Sequence, residues 1–107
     1  VRLSKLEVKQ ITKAITSFLH GQSAEIRLYG SRTNDNLKGG DIDLLLILNK
    51  SKSVTSLLAK KHEILAQIKG LIGEQKIDLK IASKQELQND PFLKLIMPTS
   101  ILLHCWL

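Results

Sequence analysis

Residues 41–48, DIDLLLIL, set the strongest constraint on what this chain can fold into. Beyond Asp43 every position is Leu or Ile, so in an extended conformation both faces of the run are apolar. Such a strand must be covered on both sides, by helices or by a partner, which puts it at the centre of a sheet. The two aspartates at its head break the pattern. Aspartate is depleted in strands, and an unpaired buried carboxylate is costly. The pair therefore calls for a place where one face of the sheet stays open and wet.

The rest of the chain supplies the cover. LSKLEV (3–8) holds a capping box, with Ser4 able to cap the amide of Glu7 and Glu7 able to reach back to Ser4. Leu3 and Val8 take the staple positions; Val8, Ile11, Ile15, Phe18 and Leu19 follow at helical spacing, and Gly21 marks the stop. EIRLYG (25–30) alternates and reads as a strand with Ile26 and Leu28 on one face. Residues 31–40 are polar and read as a short helical turn followed by a loop. Residues 53–72 read as one helix, with Val54, Leu57, Leu58, Leu65, Ile68 and Ile72 on its apolar face and Gly73 at its end.

KIDLKIA (76–82) is a third strand, with Ile77, Leu79 and Ile81 on one face. SKQE (83–86) is a second capping box. Asp90 before Pro91 opens a last short helix, which Pro98 closes. SILLHCW (100–106) is a fourth strand, placed at an edge. The expectation is one α/β (α+β) domain over residues 1–107, with helices packed on a small mixed β-sheet of about four strands.

Side chains alternate along a strand, so Asp41 and Asp43 point to the same face, with Cα atoms ~6.6 Å apart. Asp78 lies on the opposite face of its strand from Ile77 and Leu79 and can join them if the two strands are neighbours. Three close carboxylates resist ionisation, and a divalent cation removes that conflict. Hard oxygen ligands favour Mg²⁺. Two such ions ~3.5–4 Å apart form the clamp of phosphoryl or nucleotidyl transfer. Asp78 would then help to hold the second ion and accept a proton from an attacking hydroxyl. Gly30 lets the backbone approach a phosphate closely. Ser31 offers a hydroxyl and an amide at the start of a helical turn, and Arg32 adds positive charge.

YGSRTNDNLKGGDIDLLL (29–46), together with the later IDLKI (77–81), resembles the DNA polymerase β-type nucleotidyltransferase superfamily, and most of all its smallest members, the minimal nucleotidyltransferase (MNT) domains. The motif resemblance spans residues 25–82; length and element order extend it to the whole chain. It implies the nucleotidyltransferase fold. It implies nucleotide-binding roles for Gly30 and Ser31, metal-binding and catalytic roles for Asp41 and Asp43, and the third acid at Asp78. Gly40 stands where the family often has Ser, a mild departure. The resemblance further implies two Mg²⁺ ions and ATP or another nucleoside triphosphate as substrate. It implies transfer of AMP to a hydroxyl, and a small helical HEPN-type partner in a toxin–antitoxin pair. A second reading is a non-catalytic antitoxin that neutralises such a partner by binding. A chain of this length leaves little for a separate acceptor-binding domain, so the acceptor is expected from another chain.

The remaining features point less sharply. The net charge of +6 comes from scattered lysines, which suits solubility as well as attraction to polyanions. An RNA-binding reading rests on that charge alone, since aromatics make up only 4 % of the chain and supply no stacking platform. A domain this small buries a modest share of its surface, which leaves room for a partner or a second copy. One cysteine, Cys105, cannot form an internal disulfide and reads as a small buried hydrophobe. The charged N-terminal segment is no signal peptide and no apolar run approaches ~18 residues, so a cytoplasmic protein without a membrane span is expected. His20, His62 and His104 lack metal-ligand spacing, and Tyr29 reads as a structural strand aromatic.

Overall fold

The computed structural model describes residues 3–33, with the backbone alone at Ser31 and Arg32, and residues 41–107. The apolar run is strand β2 (Ile42–Leu48), and it lies inside the sheet as its composition requires. Its neighbours are β1 (Ala24–Tyr29), antiparallel, and β3 (Ile77–Ser83), parallel. β4 (Ile101–Trp106) pairs antiparallel with the other side of β1, giving a mixed sheet of order β3-β2-β1-β4. From Leu44 to Leu48 no side chain of β2 is exposed. Arg27 ties β1 to the start of β4, donating to the Ser100 hydroxyl at 2.7 Å and to the Ser100 carbonyl at 3.3 Å.

One face of the sheet carries the main core. Ile26, Leu28, Leu44, Leu46 and Leu79 pack there beneath helix α1 (Lys5–Leu19), whose Ile11, Ile15 and Leu19 are buried. The capping box at its start is complete. The Ser4 hydroxyl accepts from the Glu7 amide and the Glu7 carboxylate accepts from the Ser4 amide, each at 3.0 Å. The helix ends one residue before the expected glycine: His20 itself takes the left-handed cap at φ 51°, and Gly21 follows at φ 82°.

The single helix expected over 53–72 is two. α2 (Ser51–Leu58) and α3 (Lys61–Ile72) are separated at Ala59 and Lys60, with Lys60 at φ −107° and ψ 11°. The break has a packing reason. α2 lies on β3 and β2, whereas α3 packs chiefly on α1. One straight helix cannot serve both directions. Val54 and Leu57 are buried on the first segment, Ile64 and Ile68 on the second, and Leu58 at the joint is left 48 % exposed.

The other face of the sheet is covered only in part. Leu45, Ile47 and Ala82 are roofed there by α5 (Pro91–Ile96) through Leu93, with Leu87 of the short α4 (Glu86–Asn89) alongside. Ser83, buried at the end of β3, exchanges hydrogen bonds with Glu86, as the second capping box predicts. Asp90 caps α5 through the amides of Phe92 and Leu93. A 3₁₀ turn at Met97–Thr99, containing Pro98, ends the segment. Cys105 is exposed on edge strand β4 rather than buried, because that strand hides mainly Leu103 and Trp106 against the core. Among the described residues no helix is long and apolar enough to cross a membrane.

Candidate active site

The open part of the second face lies at one end of the sheet. There β1 finishes and β2 and β3 begin. Register fixes what meets there: Asp43 pairs with Tyr29 on one side and with Asp78 on the other. Strand neighbours stand about 4.8 Å apart, so the two carboxylates and the phenol form one row across three strands. Asp43 is half-buried and Asp78 is exposed. The Tyr29 hydroxyl donates to Asp78 Oδ2 at 3.3 Å.

Asp41 precedes β2 and stands partly exposed, with its Oδ2 3.6 Å from Lys76 Nζ. The Asp43 carboxyl titrates above its ordinary range, first through burial, then through the charges of Asp78 and Asp41, with Lys76 opposing. Burial, followed by the two neighbouring aspartates, pushes the Tyr29 phenol up to about 12. Two carboxylates at strand spacing repel by roughly 1 kcal/mol at water-like screening and by about 3–4 kcal/mol at an effective dielectric of ~20.

Gly30 follows Tyr29 at φ 80° and opens a 3₁₀ turn, Gly30–Thr33, closed by the Thr33 hydroxyl on the Gly30 carbonyl at 2.7 Å. A Cβ at Gly30 would run into the Asp43 carboxylate, Oδ2 first. The backbone at Gly30 thus lies directly against the acidic row, which is the close approach that a glycine permits. Beside the row, a pocket of ≈ 350 Å³ is lined by Tyr29, Asp78, Lys80, Phe92, Leu58 and Lys61.

The structure brings Asp43, Asp78 and Gly30 together, with Asp41 at the rim. The side chains of Ser31 and Arg32, and residues 34–40, Gly40 among them, lie outside what is described. Sequence reasoning undervalued Tyr29, whose hydroxyl joins the carboxylates instead of serving only as packing. The signal was available in the alternation: Ile26 and Leu28 face the core, so Tyr29 must face the aspartates. Lys76 follows from the same parity, two residues before Asp78.

Among the described residues no three His, Cys, Asp or Glu side chains stand close enough together to grip an ion as they are placed. The donor set nonetheless suits a hard divalent cation. It is all carboxylate oxygen, and such a cation opposes both the burial and, after it, the repulsion from Asp78 and Asp41 that raise Asp43.

The fold is a mixed-sheet α+β domain with a row of acids beside a glycine turn. Residues 8–96 match the profile of the nucleotidyltransferase domain, and the chain belongs to that family, within the polymerase β-type superfamily. No curated protein matches the chain at a significant level.

Proposed function

We propose that the protein transfers a nucleoside monophosphate, AMP from ATP, to a hydroxyl of an acceptor carried by another chain. The acceptor chain would be a small helical HEPN-type partner of a toxin–antitoxin pair. The observation that carries the catalytic part is the Asp43–Asp78 register pair on an open sheet face against the Gly30 turn. Family membership supports transfer chemistry in general; the partner rests on the likeness of the motifs to the minimal domains.

In this reading Asp41 and Asp43 hold divalent cations, Mg²⁺ by preference, with Asp78 completing the set. Bound Mg²⁺ would neutralise the triphosphate and polarise the α-phosphorus. Gly30 brings the backbone near the phosphates, and Ser31 and Arg32 at the head of the turn contribute a hydroxyl, an amide and a positive charge. Asp78 takes the proton of the acceptor hydroxyl. The acceptor oxygen forms a bond to the α-phosphorus, the bond from that phosphorus to the bridging oxygen breaks, and pyrophosphate leaves.

Calorimetry tests the site. ATP binding is expected to need Mg²⁺ and to be lost in Asp43→Ala. Binding that survives both the substitution and a chelator overturns the assignment. Mass spectrometry tests the acceptor. Incubation with the product of the neighbouring gene, ATP and Mg²⁺ is expected to add AMP to that product. Neutralisation by Asp43→Ala without any adduct would instead establish an antitoxin that acts by occlusion.

A further inference from the structure

Asp78 is exposed on edge strand β3, and a free carboxylate there would sample several rotamers. Among the described residues its hydrogen-bond partner is Tyr29. Tyr29 is itself held firmly. It is 7 % exposed and packs in the second core with Leu45 and Leu93. The Phe92 ring meets it edge-on, with centroids 6.0 Å apart at 80°. Lys80, two residues past Asp78 on the same face of β3, places its ammonium 5.4 Å from the centre of the Phe92 ring. The contacts form a closed circuit that leaves β3 at Lys80, passes through α5 and β1, and returns to β3 at Asp78.

We propose that Tyr29 is a positioning residue for Asp78: its hydroxyl aims the carboxylate along the face on which Asp43 stands, and Phe92, with Lys80 over its ring, braces the phenol. The proposal rests on the role given to Asp78 above. A general base has to stand within hydrogen-bond reach of the proton that it removes, and a misplacement of about 1 Å can cost on the order of a hundredfold in rate. At 3.3 Å the bond is long for two oxygens, as catalytic hydrogen bonds often are before substrate tightens them. Tyr29 and Asp78 stand on β1 and β3, each paired with β2 between them.

Tyr29→Phe keeps the ring and removes the donor. The test measures conversion of ATP to AMP and pyrophosphate at saturating Mg²⁺, with water as acceptor. It compares wild type, Tyr29→Phe, Asp78→Asn and Asp43→Ala, with melting midpoints taken alongside. Tyr29→Phe is expected to lose roughly tenfold in kcat, while KM for ATP and the melting midpoint hold. Turnover lost in Asp78→Asn but unchanged in Tyr29→Phe overturns this inference and leaves the functional reading standing. A fall in kcat that tracks a fall in midpoint also overturns it, since that marks a packing role. Wild-type turnover no greater than that of Asp43→Ala overturns the functional reading, and this inference with it.

Discussion

A methyl group on Gly30 has two consequences of different kinds. The backbone there is at φ 80°, where an L-residue pays about 1–2 kcal/mol. The added carbon also points at the end of the Asp43 side chain, which can swing away at little cost to the fold. Gly30→Ala is therefore expected to lower stability by about 1–2 kcal/mol, the conformational part alone, and to displace Asp43. ATP binding should fall well beyond what that loss of stability explains. Denaturant melts compared with calorimetric affinity check this, and an alanine variant that binds ATP normally would show that Asp43 need not stand where it does. Asp43 also shows why residue-level reading reached the acidic row. Its spacing from Asp41 and its parity with Asp78 are one-dimensional facts, and strand geometry converts them directly into a shared face. Alternation gives the face of Tyr29, but the contact of its hydroxyl with Asp78 was less legible. Its value depends on which strand lies beside which, and β1 meets β2 and β4, never β3.

Among the elements, those with chemical punctuation were legible and the one without it was not. Ser4 with Glu7 and Asp90 with Pro91 each mark a helix start, and Ser83 with Glu86 marks the turn that leads into α4, by a bond that the structure contains. The break between α2 and α3 carries no Gly or Pro. Leu57 and Ile64 are seven residues apart, so an unbroken helix would also place them on one face. What divides the segment is the direction of its neighbours, sheet for α2 and α1 for α3, and that is tertiary information. Helix α5 links this scale to the site. Asp90 accepts from the amides of Phe92 at 2.8 Å and Leu93 at 3.3 Å, and those residues touch Tyr29 and the second core. Asp90→Ala should cost about 1 kcal/mol and fray the first turn of α5. The expected signature is faster amide hydrogen exchange at Phe92 and Leu93, with α1 unchanged. Uniform loss of protection would mean that the cap supports the whole fold and not this helix.

For the whole molecule, the acidic row ties folding to pH and, on the proposed function, to cations. The unfolded chain holds Asp43 at the ordinary carboxylate value of 3.8, and the native state holds it higher. Between the two values the native state binds more protons than the unfolded chain. Stability therefore falls as pH rises through that window, and the loss is complete above the raised value. Asp43→Asn removes the charge. In chelator at pH 7 it should melt slightly above wild type, by less than about 1 kcal/mol because the site is open to solvent, and its stability should depend less on pH just above the ordinary carboxylate value. A cation that binds only the native state works in the opposite direction, adding about 2.7 kcal/mol at a hundred times its Kd. Mg²⁺ with ATP should thus raise the wild-type midpoint and leave Asp43→Asn nearly unmoved, so that the two melting curves exchange order between chelator and Mg²⁺–ATP. If the asparagine variant is no more stable than wild type in chelator, neither the burial of the Asp43 charge nor repulsion along the row is a strain on the fold. If Mg²⁺–ATP moves both proteins equally, the cation binds away from Asp43.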